Sequence, residues 1–147
     1  MAENQKPDIE NRKSEIENRQ SSILVIEDNE QNRYLVTFIL ESHGYRVIQA
    51  TNGREGIELA EQVEPALILL DIQLPGMDGY AVAQALRSNP AFDEVPIVAV
   101  TSHAMVGDRD QILASGCNGY IEKPIDPETF MDDVEQHFQS VEQRTGR

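Results

Sequence analysis

The chain has 147 residues, 39 % of them hydrophobic and 26 % charged, with nine glycines and seven prolines; this suits one compact domain and excludes collagen-like, coiled-coil and wholly disordered chains. Twelve Lys and Arg stand against 26 Asp and Glu, a formal charge of −14, which repels phosphate backbones and anionic headgroups and argues against direct nucleic-acid or membrane binding. The single cysteine, Cys117, rules out an internal disulfide, and no signal-like segment or membrane-length apolar run is read in the sequence, so the expected location is cytoplasmic.

Residues 1–21 lack apolar periodicity. Ile9 and Ile16 recur in a seven-residue near-repeat, but one isoleucine per heptad cannot make a coiled-coil seam. The segment is expected to be a disordered tail, with a partner-docking helix as the alternative. From Ser22 the pattern changes. Continuous apolar runs at 23–26, 66–70 and 97–100 read as strands buried on both faces, and 46–50 and 120–122 are weaker strand candidates. Segments 31–42, 54–62, 80–87, 108–114 and 127–139 read as amphipathic helices, with Gly44 and Gly116 at C-terminal stops and Pro127 in a first helical turn. Strand and helix alternate five times, which implies a parallel sheet with helices on both faces, joined by right-handed crossovers. The expected fold class is α/β: a doubly wound five-stranded parallel sheet, (βα)5, in the flavodoxin-like order 2-1-3-4-5, with its ligand crevice outside the carboxyl ends of the first and third strands. The domain is expected to span 22–140. Residues 141–147 read as a C-terminal tail that cannot form an output domain.

The strand ends carry the chemistry. The first run ends in Glu27 and Asp28, the third in Asp71 and the fourth in Thr101, while Lys123 and Pro124 follow the fifth. Carboxylates packed together repel one another and lose solvation unless a cation shares the site. All-oxygen ligation without His or Cys fits Mg²⁺. Taken alone, 27–30 reads as an acidic cap on the next helix; with Asp71 and Lys123 also at strand ends, a shared site is the better reading. Asp71 is a competent nucleophile toward phosphorus once a metal and a cation balance the charge. Lys123, the only lysine after residue 22, fits the second role. The Thr101 hydroxyl can bond a phosphate oxygen, although a β-branched residue also suits a strand for its own sake.

These residues fall in the motifs ILVIEDNE (23–30), LLDIQLPGMDG (69–79), PIVAVT (96–101) and GYIEKP (119–124). Together they resemble the receiver domains of bacterial two-component response regulators over about residues 22–140. The resemblance implies that Asp71 is the phosphoacceptor. It implies Mg²⁺ ligation by Asp28, Asp71 and the backbone carbonyl of Gln73, with Glu27 acting through metal-bound water. Thr101 and Lys123 would bind phosphoryl oxygens, the small Ser102 would leave them room, and the Lys123-Pro124 bond would be cis. Thr101 and Tyr120 match the family's switch positions, although a static half-buried aromatic is the plain alternative for Tyr120. Gln73 and His103 flank the path of attacking water and are expected to tune phosphate lifetime; a surface contact is a better reading of His103 than metal ligation. Cys117 reads as a packing residue, and Met105 and Met131 as core or face residues.

Three other classes share parts of this pattern. An FMN binder of the same fold needs hydroxyls and amides in its first loop, where this chain has carboxylates. An aspartyl-nucleophile phosphatase needs a second acid where Gln73 stands. A non-phosphorylated scaffold would resist small phosphodonors. The expectation is a stand-alone, chemotaxis-receiver-like phosphoacceptor that is not a conventional enzyme. Its expected partners are a sensor histidine kinase, plain or hybrid, or a histidine phosphotransfer protein, together with a downstream protein target. A relay or developmental role is favoured over a chemotaxis-type effector.

Overall fold

The structure is a computed structural model and describes residues 22–145. The expected tail at 1–21, with Ile9 and Ile16, lies outside the described residues. Among the described residues five strands, β1 (Ser22–Ile26), β2 (Arg46–Ala50), β3 (Leu67–Asp71), β4 (Ile97–Thr101) and β5 (Gly119–Glu122), alternate with five helices, α1 (Glu30–Ser42), α2 (Gly53–Val63), α3 (Gly79–Arg87), α4 (Val106–Ala114) and α5 (Phe130–Thr145). A 3₁₀ turn, Pro90–Phe92, lies between α3 and β4. The sheet has the order β2-β1-β3-β4-β5 and every pairing is parallel.

Side-chain alternation divides the core in two. Leu24, Ile26, Ile68, Leu70, Ile97 and Ala99 face α2, α3 and α4, where they meet Ala60, Val82, Leu86 and Ile112. Ile23, Val25, Leu67, Leu69, Val98 and Val100 face α1 and α5, where they meet Val36, Leu40, Phe130 and Val134. β1, β3 and β4 are therefore buried at every position, which is why they read as unbroken apolar runs. The edge strands β2 and β5 keep exposed or half-buried positions.

Polar side chains start the helices at the carboxyl edge of the sheet. Asn29 Oδ1 accepts the Asn32 amide at 2.8 Å, Asn52 Oδ1 accepts that of Glu55 at 2.9 Å, and Asp78 Oδ1 accepts that of Ala81 at 2.9 Å, each satisfying an otherwise orphaned donor. Gly44 and Gly116 take φ of 91° and 112°, the left-handed conformation of a helix stop.

The last helix departs from its expected bounds at both ends. The Asp126 carbonyl accepts the amides of Thr129 (3.1 Å) and Phe130 (2.9 Å), and its Oδ1 accepts that of Glu128 (3.0 Å). Residues 127–129 thus form a capping turn, with Pro127 where a missing N–H costs nothing, and the regular helix begins at Phe130. It continues past Gln139 to Thr145, so most of the segment read as a C-terminal tail is helical. Among the described residues no helix is long and apolar enough to cross a membrane.

Candidate phosphoacceptor site

The topology places Glu27, Asp28, Asp71, Thr101 and Lys123 along one edge. Asp71 is the last residue of β3, opposite Val100, and its onward path is fixed by the Ile72 amide donating to the Val100 carbonyl at 3.1 Å. Gly79 closes the following loop: a Cβ there would come within 2.6 Å of the Asp71 carbonyl oxygen. Lys123 is placed by its own backbone, whose amide donates to the Thr101 carbonyl at 2.8 Å. The Lys123-Pro124 peptide bond is cis.

Glu27 and Asp71 are the only buried carboxylates among the described residues, 4 % and 2 % exposed. Asp28 is exposed beside them, and one carboxylate oxygen from each of the three lies within 4.8 Å of the others. Lys123 Nζ sits 3.2 Å from Asp71 Oδ1 and 3.6 Å from Glu27 Oε1. Two buried negative charges against one cation leave an imbalance that the low-dielectric interior penalises. Its signature is on Glu27, whose carboxyl is pushed from 4.5 up to about 7, chiefly by burial and then by hydrogen bonding to Asp71; the Asn29 amide and the Lys123 charge oppose the rise. The Asn29 amide donates to Glu27 Oε2 at 3.1 Å, and the Gln73 amide to Asp71 Oδ1 at 2.9 Å.

Residues 23–135 match the response regulator receiver domain family. The chain belongs to that family. It is 39 % identical over 117 residues to the polar-differentiation response regulator DivK of Brucella anthropi, covering 80 % of this chain and 95 % of that one. Among solved structures, the Vibrio cholerae chemotaxis protein CheY4 superposes with a TM-score of 0.76 at 27 % identity, covering 79 % of this chain and 97 % of that one. The receiver domain of a Pseudomonas aeruginosa sensor histidine kinase, solved with a magnesium ion coordinated in its active-site cleft, gives 0.75 at 33 % identity, covering 81 % and 98 %.

Of the remaining predicted residues, Gln73, Thr101, Ser102 and His103 are joined by hydrogen bonds beside Asp71. Thr101 is 1 % exposed; its hydroxyl donates to the His103 carbonyl at 3.1 Å and accepts the His103 amide at 2.9 Å. Gln73 Nε2 bonds His103 Nδ1 across the mouth, and Gln73 Oε1 accepts the Ser102 amide at 3.5 Å. Tyr120 stands opposite Ala99 on β5, two residues before Glu122 opposite Thr101. Cys117 is buried, and burial pushes its thiol up, away from reactivity. Met131 is buried, whereas Met105 is largely exposed at the start of α4.

Two contributors were not singled out from sequence. Arg33 donates to the Glu27 carbonyl at 2.9 Å and to Gln49 Oε1 at 3.2 Å, tying α1 to the backbone that presents the carboxylates. Arg109 lies over the Tyr120 ring. Arg33, six residues after Glu27 in the first turn of α1, could have been found from helix geometry. Arg109 has no local signal, because its contact depends on how α4 lies across β5.

Proposed function

We propose that this receiver takes a phosphoryl group from a phosphohistidine onto Asp71. The observation that carries the reading is the buried Asp71 carboxylate with the Lys123 ammonium 3.2 Å away, clustered with the carboxylates of Glu27 and Asp28. An Asp71 oxygen attacks phosphorus, the phosphorus–nitrogen bond of the donor breaks, and its electron pair returns to the imidazole. Lys123 balances charge on the transferred group, and the Gln73 amide orients the attacking carboxylate.

The donor set fits Mg²⁺: it is all oxygen, without His or Cys, and burial, with hydrogen bonding to Asp71, already raises Glu27 to about 7. Asp28, Asp71 and the Gln73 backbone carbonyl would hold the ion, with Glu27 reaching it through water. When bound, Mg²⁺ neutralises the phosphoryl oxygens. The magnesium in the Pseudomonas relative supports this assignment.

A phosphoryl oxygen on Asp71 competes with the His103 carbonyl for the Thr101 hydroxyl, and the small Ser102 leaves it room. Withdrawal of Thr101 toward the site vacates space for Tyr120, which biases the surface formed by α4, β5 and α5. Gln73 and His103, bonded across the mouth, govern the approach of water and hence phosphate lifetime. The chain promotes only its own phosphorylation and dephosphorylation. It works in the cytoplasm with a sensor histidine kinase or a histidine phosphotransfer protein and a downstream protein target. A developmental relay is favoured over a chemotaxis-type effector by the 39 % identity to DivK against 27 % to CheY4.

The test is phosphotransfer profiling of the full chain against histidine kinases and phosphotransfer proteins, with Asp71→Asn and metal chelation as controls. Label on Asp71 that both controls abolish, and that passes to and from histidine partners, supports the reading. Label on another residue, or none with excess phosphodonor, overturns it.

A further inference from the structure

The loop between β4 and α4, residues 102–105, is held at two points. At its start the Thr101 hydroxyl exchanges hydrogen bonds with the backbone of His103. Further on, the Ala104 carbonyl accepts Arg109 Nε at 2.9 Å. Ala104 is the one buried residue in a stretch where Ser102, His103 and Met105 are exposed, so this bond pins the loop where it enters the core. The same guanidinium has its Cζ 5.6 Å from the centroid of the Tyr120 ring. Arginine can do both at once, because its plane stacks on an aromatic face while its edge donates. One side chain of α4 therefore holds both the loop that follows Thr101 and the aromatic residue of β5.

We propose that Arg109 is a positioning residue that couples the loop 102–105 to Tyr120 and holds both in their resting arrangement. The inference rests on the phosphoacceptor reading above. A phosphoryl group that captures the Thr101 hydroxyl releases the first restraint on the loop. Any displacement of Ala104 then either breaks its bond to Arg109 or drags the guanidinium with it, and both outcomes alter the cation's seat on the Tyr120 ring. Removing Arg109 lifts the second restraint in advance and leaves Asp71, Lys123 and the acidic notch untouched. The expected consequence is a population shift toward the loaded arrangement before any phosphate arrives.

The experiment uses the full chain with Mg²⁺ and beryllofluoride, a non-transferable mimic of the aspartyl phosphate. Tyr120 is followed by ¹⁹F NMR of fluorotyrosine-labelled protein, with its signal assigned through Tyr120→Phe. Arg109→Gln is expected to move the Tyr120 signal part-way toward its loaded position without the mimic and to tighten mimic binding about fivefold. Arg109→Lys, which keeps the charge but cannot stack and donate together, should shift both in the same direction. Adding Arg109→Gln to Tyr120→Leu should tighten binding no further than Tyr120→Leu alone, a comparison that does not use the Arg109→Gln single variant. An unmoved Tyr120 signal with unchanged mimic affinity in Arg109→Gln, or full additivity with Tyr120→Leu, overturns the coupling. A wild-type chain that binds no mimic overturns the phosphoacceptor reading and this inference with it, a result distinct from an unmoved signal in a chain that does bind.

Discussion

Raising the pH of metal-free protein from about 5 to about 8 should lower its stability, because the proton that Glu27 retains in the folded state is lost across that interval. Folded Glu27 holds its proton up to about 7, whereas its ordinary value is 4.5. Between those values the native state binds more protons than the unfolded chain, so stability falls as pH rises through the window and is level below it. The gap corresponds to roughly 3 kcal/mol if Glu27 stays buried throughout. Saturating Mg²⁺ should recover most of this at about pH 8 and little at about pH 5, where the site is already partly neutralised. The assay is urea unfolding followed by far-ultraviolet circular dichroism, since the chain contains no tryptophan. Other groups also titrate, so the informative quantity is the difference between wild type and Glu27→Gln, which keeps an acceptor for the Asn29 amide but has no proton to lose. Parallel stability curves for the two proteins, or a wild-type advantage that grows with pH, would refute the assignment of the buried charge to Glu27.

Lys123→Ala leaves Asp71 and Glu27 without their cation, and labelling of Asp71 by a small phosphodonor should fall by about 100-fold, measured by intact-protein mass spectrometry. Gly119→Ala would place a methyl against the His137 ring, within 3.0 Å of its Nε2, and should cost about 1–3 kcal/mol in urea unfolding; His137→Ala in the same chain should restore part of the loss. His137 has its pKa lowered by burial, with Asp133 opposing, so the unfolded chain binds the extra proton and stability is lost as pH falls below the ordinary 6.5. His137→Gln should flatten that acid-side loss in the same unfolding assay.

The central strands were legible because burial on both faces leaves an unbroken apolar run, as in 23–26 and 97–100, and the acidic and basic strand ends followed from the topology those runs impose. The edge strands were faint for the converse reason: Arg46, Gln49 and Glu122 interrupt the run because they meet solvent. The start of the last helix was blurred by Asp126, whose carbonyl and carboxylate build a turn that propensity alone does not distinguish from the helix itself. Gln73 and His103 could be assigned to opposite walls of one crevice, but not joined, since thirty residues separate them and only the loop paths decide whether the side chains meet. Arg109 and Tyr120 lay further out of reach. Their contact requires the lateral placement of a helix over a strand, which no periodicity encodes.

The uneven enclosure of the sheet has a dynamic corollary. β1 and β3, which carry Glu27, Asp28 and Asp71 at or just past their ends, are sealed between two layers, so their amides should resist deuterium exchange almost to the global unfolding limit. β5, solvated along one margin, should exchange at much lower cost. Incoming charge therefore meets an unyielding seat on one side and a pliant border on the other, and mechanical work done at the crevice is directed toward the border that gives way.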